Sequence, residues 1–517
     1  MAKKNLDESS GLGKRKVRSK TLLLGALSFL AAISSSGCSF TIGGDPSTES
    51  SSEASSNQQF SSSVEESSES SSHSHSSVES SSSSEPPSSG DSSSSSEERS
   101  SSSEPSSSGD SSSSSEGSSS SGSTDTSSYE DSDCDKISFH FIDRQEQYSG
   151  DCVYIKVGET DILIDAGAKK GSAARIKSYL DDSSRDEYVS DGKLEYVIAT
   201  HGHQDHIAGF VGNESGASRD GIYYTYQIDN IIDFSYSNSG DDKNVINNAD
   251  PSNSKGDSSF VSYTDTYTYT SSGATKTAVN STEIYRDYVS ARDYAVSQGA
   301  TWKTVGELCN STNLSYTVNL GRNVSMTILY NYFYDHTFLE YKGLESNYTK
   351  SGFSDENDYS ICLLFKQGSR SFLFTGDAEA YAEHSLVKYN DLPKVDLFKA
   401  GHHGSFTAST DELLDAIDPS LCVVTCCAGN KEYSRTNSNH SFPAQEFIDR
   451  IAKHTDRVYV TTLGSWDSTS AFSPFNGTVI ASYDTSSRET LSFSNNSLKL
   501  KESEWMKNYR SMPSAWE

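Results

Sequence analysis

Short apolar runs recur after residue 134, at 137–142, 152–157, 161–164 and 194–199. Their length and β-branched or aromatic content read as strands. Between them, residues 172–180 (SAARIKSYL) place Ala, Ile and Leu at helical intervals. A second block has strand-like runs at 324–332, 359–365 and 371–375, then a helix over 381–389. It continues with strands at 395–400 and 421–425, a helix over 444–454, and strands at 458–462 and 476–483. Two blocks of strands, each followed by helices, predict an α/β fold, an αββα sandwich with its site at the strand ends. Between the blocks, residues 216–317 are rich in Tyr, Ser, Asn, Asp and Thr, and read as a long polar insertion. The domain is expected over 135–497, with 498–517 as a C-terminal tail.

The first 134 residues follow another pattern. Lys14, Arg15, Lys16, Arg18 and Lys20 precede an apolar run of 13 residues at 21–33. A bilayer-spanning helix needs about 20 such residues, so the run fits the apolar part of an export signal. Ser35, Ser36, Gly37 and Cys38 then resemble a bacterial lipoprotein cleavage site, an ordinary secretory cleavage being the alternative. Residues 1–38 are accordingly read as a signal peptide of lipoprotein type. Residues 39–134 are mostly Ser, with Glu, Asp and Gly and almost nothing apolar. Such a segment cannot bury enough surface to offset the entropy of ordering. It reads as a disordered tether, and about 90 flexible residues have a root-mean-square span of roughly 50 Å. The expected location is the cell surface, anchored to the membrane by lipid, or secreted.

The chain carries a net charge of −30, and the part after residue 134 remains strongly acidic. Broad charge therefore argues against binding nucleic acid as a partner, but not against a local metal-lined site acting on a phosphate. Among eight cysteines, Cys362, Cys422, Cys426 and Cys427 lie in apolar strand-like runs and read as buried thiols. No CxxC pair is present, which gives a thiolate metal site little support.

The densest chemistry is His201-Gly202-His203-Gln204-Asp205-His206, at the mouth of the strand 194–199. One short loop can offer two imidazoles to one ion and an Asp–His pair to a second. Imidazole and carboxylate suit zinc and related divalent ions. The string resembles the HxHxDH motif of the metallo-β-lactamase superfamily. Asp165, in Leu163-Ile164-Asp165-Ala166-Gly167, resembles the strand-end Asp that supports that loop. Asp377, in Phe374-Thr375-Gly376-Asp377, resembles its metal-bridging Asp. Lys399-Ala400-Gly401-His402-His403-Gly404-Ser405 resembles the HHGS motif of the ComEC-type branch, the extracytoplasmic hydrolase domain of the DNA-uptake channel and its soluble relatives. His140-Phe141-Ile142-Asp143 and Asn357-Asp358-Tyr359-Ser360 agree with that branch, and the motifs occur in its order.

The resemblance implies a metallo-β-lactamase sandwich holding two divalent ions, zinc first and manganese second. The implied ligands are His201, His203, Asp205, His206, Asp377 and His403, with a shared hydroxide as nucleophile. His402 would face the substrate and stabilise developing charge, a structural His being the alternative. His440, in Asn439-His440-Ser441, either contacts a substrate phosphate or lies on a surface loop. Asp205, His402 and His440 form the expected catalytic set. Many members supply a further His between the first loop and the bridging Asp. Here His336 precedes the usual place, and Asn357 is the other candidate. The implied function is hydrolysis of phosphate esters or phosphodiesters, on a small molecule or a polymer, with nucleic acid entering only as substrate. Hydrolysis of a β-lactam or lactone is one alternative. A surface-binding module using the Tyr- and Asn-rich insertion is another.

Overall fold

A computed structural model describes residues 134–517 apart from 147, 214–218, 238–265, 272–273, 280, 337–339, 342–343, 345–355, 429–440, 466–467 and 486–487. The expected signal at 1–38 and all but the last residue of the expected tether at 39–134 thus lie outside the described residues, as does His440.

Two eight-stranded sheets form the centre. The first contains β1 (Ile137–Phe141), β2 (Val153–Val157), β3 (Thr160–Ile164), β4 (Lys193–Ile198), β5 (Gln227–Asp233) and β8 (Thr301–Thr304), with β17 (Val479–Tyr483) and β18 (Glu489–Phe493) at its other edge. The second contains β9 (Ser315–Gly321), β10 (Val324–Leu329), β11 (Leu363–Gln367), β12 (Arg370–Phe374), β13 (Leu397–Lys399), β14 (Cys422–Ala428), β15 (Val458–Ser465) and β16 (Ser468–Pro474). A separate hairpin joins β6 (Thr266–Ser271) to β7 (Ala274–Val279).

Period-two alternation assigns each strand's faces. Ile137, Phe139 and Phe141 of β1 point between the sheets, where Phe372 and Phe374 of β12 meet them. The ring centre of Phe139 lies 4.8 Å from that of Phe372 and 5.3 Å from that of Phe374. The opposite faces carry helices. Helices α1 (Ser172–Leu180), α2 (Gln204–Val211), α3 (Ile222–Thr225) and α4 (Glu283–Ser297) cover the first sheet, through Ile176, Phe210, Tyr223 and Tyr288. A short α5 (Val305–Leu308) follows β8. Helices α6 (Ala380–Tyr389), α7 (Asp411–Ile417) and α8 (Gln445–Ile451) cover the second sheet, through Leu386, Leu413 and Phe447. The αββα sandwich expected from the two blocks is the fold observed.

Strands β3, β4, β5 and β8 are parallel, as are β12, β13, β14 and β15. Parallel strands share one carboxyl edge, and residues just beyond it are brought together. Asp165 follows β3, His201 follows β4, Asp377 follows β12 and His402 follows β13.

Two boundaries differ from the sequence reading. The described parts of residues 216–317 contribute strands and a helix to the fold. β5 pairs with β4, β8 with β5 and β9 with β10, and α4 covers the first sheet. Their buried positions are spaced by Asn, Asp and Thr, and tyrosine supplies much of the apolar surface, so the stretch reads as polar. Residues 498–517 are also integral. Leu500, Trp505, Met506 and Trp516 enter the core over the second sheet, around α9 (Glu504–Tyr509). These bulky residues are too widely spaced to give a periodic signal.

Trp516 is 5% exposed, and its indole N–H donates to the Thr455 carbonyl at 3.0 Å. Trp516→Ala is expected to cost about 3–5 kcal/mol, the range for a buried aromatic truncated to Ala. A urea denaturation midpoint identical to that of the parent chain would show the tail to be dispensable.

Candidate metal centre

Beyond β3 the chain turns through Asp165 in the left-handed region, at φ 57°. The turn aims its carboxylate at the end of β4. Thr200 donates its backbone N–H to Oδ1 at 2.8 Å and its hydroxyl to Oδ2 at 2.7 Å. His206 Nδ1 lies 2.7 Å from the same Oδ2, which leaves Nε2 to face inward. That Nε2 lies 3.0 Å from Asp377 Oδ2.

The loop between β4 and α2 sits tightly. A Cβ on Gly202 would lie 2.3 Å from Ser237 Oγ and 2.5 Å from Glu356 Oε1. The buried Glu356 carboxylate accepts the Gly202 N–H at 2.8 Å. A side chain here would displace the loop, and with it the histidines on either side. His201 Nε2 and His203 Nδ1 are 3.0 Å apart. Asp205 stands in the first turn of α2, where unpaired helix N–H groups favour a carboxylate.

The second sheet brings the complementary groups. The Asp377 N–H donates to Ser360 Oγ at 3.1 Å. His402 and His403 are both left-handed, at φ 42° and 52°. Non-glycine residues in that region cost on the order of 1–3 kcal/mol each, and the surroundings must hold them there. His403 Nδ1 lies 2.9 Å from the Thr425 carbonyl oxygen. His403 Nε2 is then 3.2 Å from Asp377 Oδ2 and 3.3 Å from Asp205 Oδ2. One donor atom each from Asp205, His206, Asp377 and His403 falls within 4.8 Å of the others, and all four residues are buried.

Beside them lies a buried ion pair between Lys399 and Asp151. The Lys399 ammonium also donates to the Gly376 carbonyl at 2.9 Å and lies 3.6 Å from Asp377 Oδ1. Burial alone would hold His206 and His403 neutral. The Asp377 carboxylate outweighs it, helped by Asp165 at His206 and by Asp151 at His403, and both imidazoles are pushed well above their ordinary range. Asp377 is held well below the carboxylate range, against burial, by His206 and His403. His201 moves the other way, lowered by burial and by the neighbouring His206 and His203.

The donor set fits a divalent cation. Four buried carboxylates, Asp151, Asp165, Asp205 and Asp377, gather beside the Lys399 ammonium, and two imidazoles help to balance them by taking up protons. Asp377 Oδ1 is buried with no hydrogen-bond partner. His201 and His203, the other two expected ligands, stand together beside this group with ring nitrogens 3.0 Å apart.

His402 stands at the rim, its side chain 12% exposed, with Nε2 3.9 Å from Asp377 Oδ2 and Nδ1 2.8 Å from Glu379 Oε1. Asn357 Nδ2 is 3.3 Å from His402 Nδ1. His336 goes elsewhere: its Nδ1 lies 2.8 Å from Asp335, and its ring stacks on Tyr332 with centres 4.1 Å apart. Sequence reasoning gave no role to Asp151, Glu356, Glu379 or Lys399. A Lys closing the apolar strand β13, and an acid two residues past Asp377, were the available signals.

A family model described as the Metallo-beta-lactamase superfamily matches residues 146–212, which hold Asp151, Asp165 and the 201–206 loop. Recombination protein 2 of Haemophilus influenzae is 29% identical over 108 residues, covering 21% of this chain and 12% of that protein. ComE operon protein 3 of Bacillus subtilis is 27% identical over 108 residues, covering 21% of this chain and 13% of that protein. The chain thus matches these relatives over only 12–13% of their length. Among solved structures, the metallo-beta-lactamase fold protein YhfI from Bacillus subtilis aligns over 64% of this chain and 97% of its own, at 9% identity and a TM-score of 0.31. The matched segment at 146–212 and these relatives support the resemblance to the metallo-β-lactamase superfamily and its ComEC-type branch.

Proposed function

We propose that the protein is a metal-dependent hydrolase of phosphate esters, phosphodiesters above all, acting outside the cytoplasm. The observation that carries the reading is the meeting of Asp205, His206, Asp377 and His403, four buried donors drawn from the ends of both sheets. In this reading those four hold one ion, and His201 and His203 hold a second with Asp377 shared. Zinc suits the donors best, and manganese is the alternative. Divalent ions held there would act as Lewis acids and make a nucleophile from water at neutral pH. Asp165 fixes His206 by its ring nitrogen, and Lys399 balances Asp151 and Asp377. His402, partly open to solvent beside the donors, offers Nε2 to charge developing on a phosphoryl oxygen. One relative is named a recombination protein, which supports nucleic acid among the substrates.

The site of action is read from residues 1–38 as an export signal and 39–134 as a tether, with Cys38 as the lipid-bearing residue. Among the described residues no helix is long and apolar enough to cross a membrane.

The purified protein is expected to bind about two metal ions per chain and to hydrolyse bis-p-nitrophenyl phosphate. An Asp205→Ala, His206→Ala double variant is expected to lose both. Elemental analysis and the chromogenic assay decide the matter. No metal and no turnover after zinc or manganese is supplied would sink the enzyme reading. Turnover of nitrocefin instead would move the reaction to a C–N bond.

Asp165→Asn tests the support of the first loop. The amide keeps the shape but weakens the hold on His206 Nδ1. Metal affinity, measured by competition with a chromophoric chelator, is expected to fall about 10–100-fold, as for other groups that orient metal-bound imidazoles. An unchanged affinity would remove Asp165 from that role.

A further inference from the structure

We infer that Glu379 is a positioning residue that acts through His402, an inference resting on the hydrolase reading above. Glu379 is 3% exposed. A buried carboxylate is costly unless hydrogen-bonded, and this one gathers its bonds on one oxygen. His402 Nδ1 lies 2.8 Å from Oε1, the Asn357 amide donates to it at 3.1 Å, and the Thr407 hydroxyl donates at 2.8 Å. Oε2 has no hydrogen-bond partner. The carboxylate is therefore turned toward the imidazole and held there from two other elements. Asn357 comes from the turn before β11, and Thr407 from the loop before α7.

A carboxylate only accepts hydrogen bonds, so Nδ1 of His402 carries a proton directed at Glu379. Nε2 is then the nitrogen presented beside Asp377, 3.9 Å from its Oδ2. Removing Glu379 takes away the acceptor that fixes Nδ1 on a ring whose last torsion is a broad two-fold well. Phe442, edge-on with its ring centre 5.3 Å away, limits tilt but cannot choose the nitrogen. The left-handed backbone at His402 has the same outcome, placing the ring at the mouth of the site. The side-chain hydrogen bonds of Glu379 go to His402, Asn357 and Thr407. Its effect on turnover passes through the imidazole.

The test uses the full chain loaded with zinc. Glu379→Ala is expected to lower kcat on bis-p-nitrophenyl phosphate about 10–100-fold, the scale for groups that orient an active imidazole, with KM and metal content unchanged. Glu379→Gln keeps an acceptor oxygen and is expected to recover most of the loss. On a His402→Ala background Glu379→Ala should add nothing, the non-additivity of two residues acting as one unit. In spectra of 15N-histidine-labelled protein at fixed pH, the His402 signal, assigned through its absence in His402→Ala, should show a protonated Nδ1 that is lost in Glu379→Ala. A further loss on the His402→Ala background, or an unchanged His402 spectrum in Glu379→Ala, overturns the inference. If the wild-type protein turns over no phosphodiester, the proposed function falls, and the spectrum alone still decides whether Glu379 sets the ring.

Discussion

Four carboxylates, Asp151, Asp165, Asp205 and Asp377, are buried around one point, and much of the molecule is arranged to make that tolerable. An unpaired buried charge costs several kcal/mol. Lys399 answers Asp151, Thr200 and His206 answer Asp165, and His403 lies between Asp205 and Asp377. Some of these contacts stay within one sheet, but Lys399–Asp151, His403–Asp205 and His206–Asp377 run between the two. The first gives Asp165, His201, Asp205 and His206; the second gives Asp377, Lys399, His402 and His403. Their spacing is therefore set by the packing between the sheets, where Phe139 lies against Phe365, Phe372 and Phe374. The aromatic seam has a purpose beyond burying surface, because a slip there would part carboxylates from the groups that balance them.

The legibility of the site in the sequence tracks how local its chemistry is. His201 to His206 puts four potential ligands in six residues, and no packing role explains three histidines in a polar loop. His402 and His403 are as compact. Asp151, Glu356, Glu379 and Lys399 are different. Each is an ordinary charged residue in sequence and becomes informative only when folding sets it against a partner far along the chain, as Glu356 meets Gly202. The fold shows the same division. Strands such as β1 and β12, with aromatics at alternate positions, announce themselves. β5 reads QIDNIID, and only its three buried isoleucines, spaced by polar residues, betray a strand between two neighbours. Trp516 gives no pattern, because one large residue can anchor a segment without any period.

The loop that carries His402 and His403 shows the site working against stability. Two consecutive residues sit in a backbone region that glycine would occupy without strain, and the chain uses imidazole there. Ala400 and Val423 hold the loop by a backbone hydrogen bond of 2.9 Å, and Ser405 closes it onto the His402 carbonyl at 2.8 Å. The strain is held by the strands on either side, and the donor geometry depends on it.

The pairing of β1 with β17 has a bearing on how the chain matures. Ile137 aligns with Tyr483 and Phe141 with Val479, so one of the first strands of the domain is completed by one of the last. Contacts so distant in sequence form late and slowly. A chain emerging from a ribosome or a translocation pore, amino end first, presents the 201–206 loop long before β17 arrives to close its sheet. The loop's histidines and acids are then unassembled for most of synthesis. Asp205 and His206 can meet Asp377 and His403 only after the chain has been made past residue 403, which sets the earliest moment at which the site can exist.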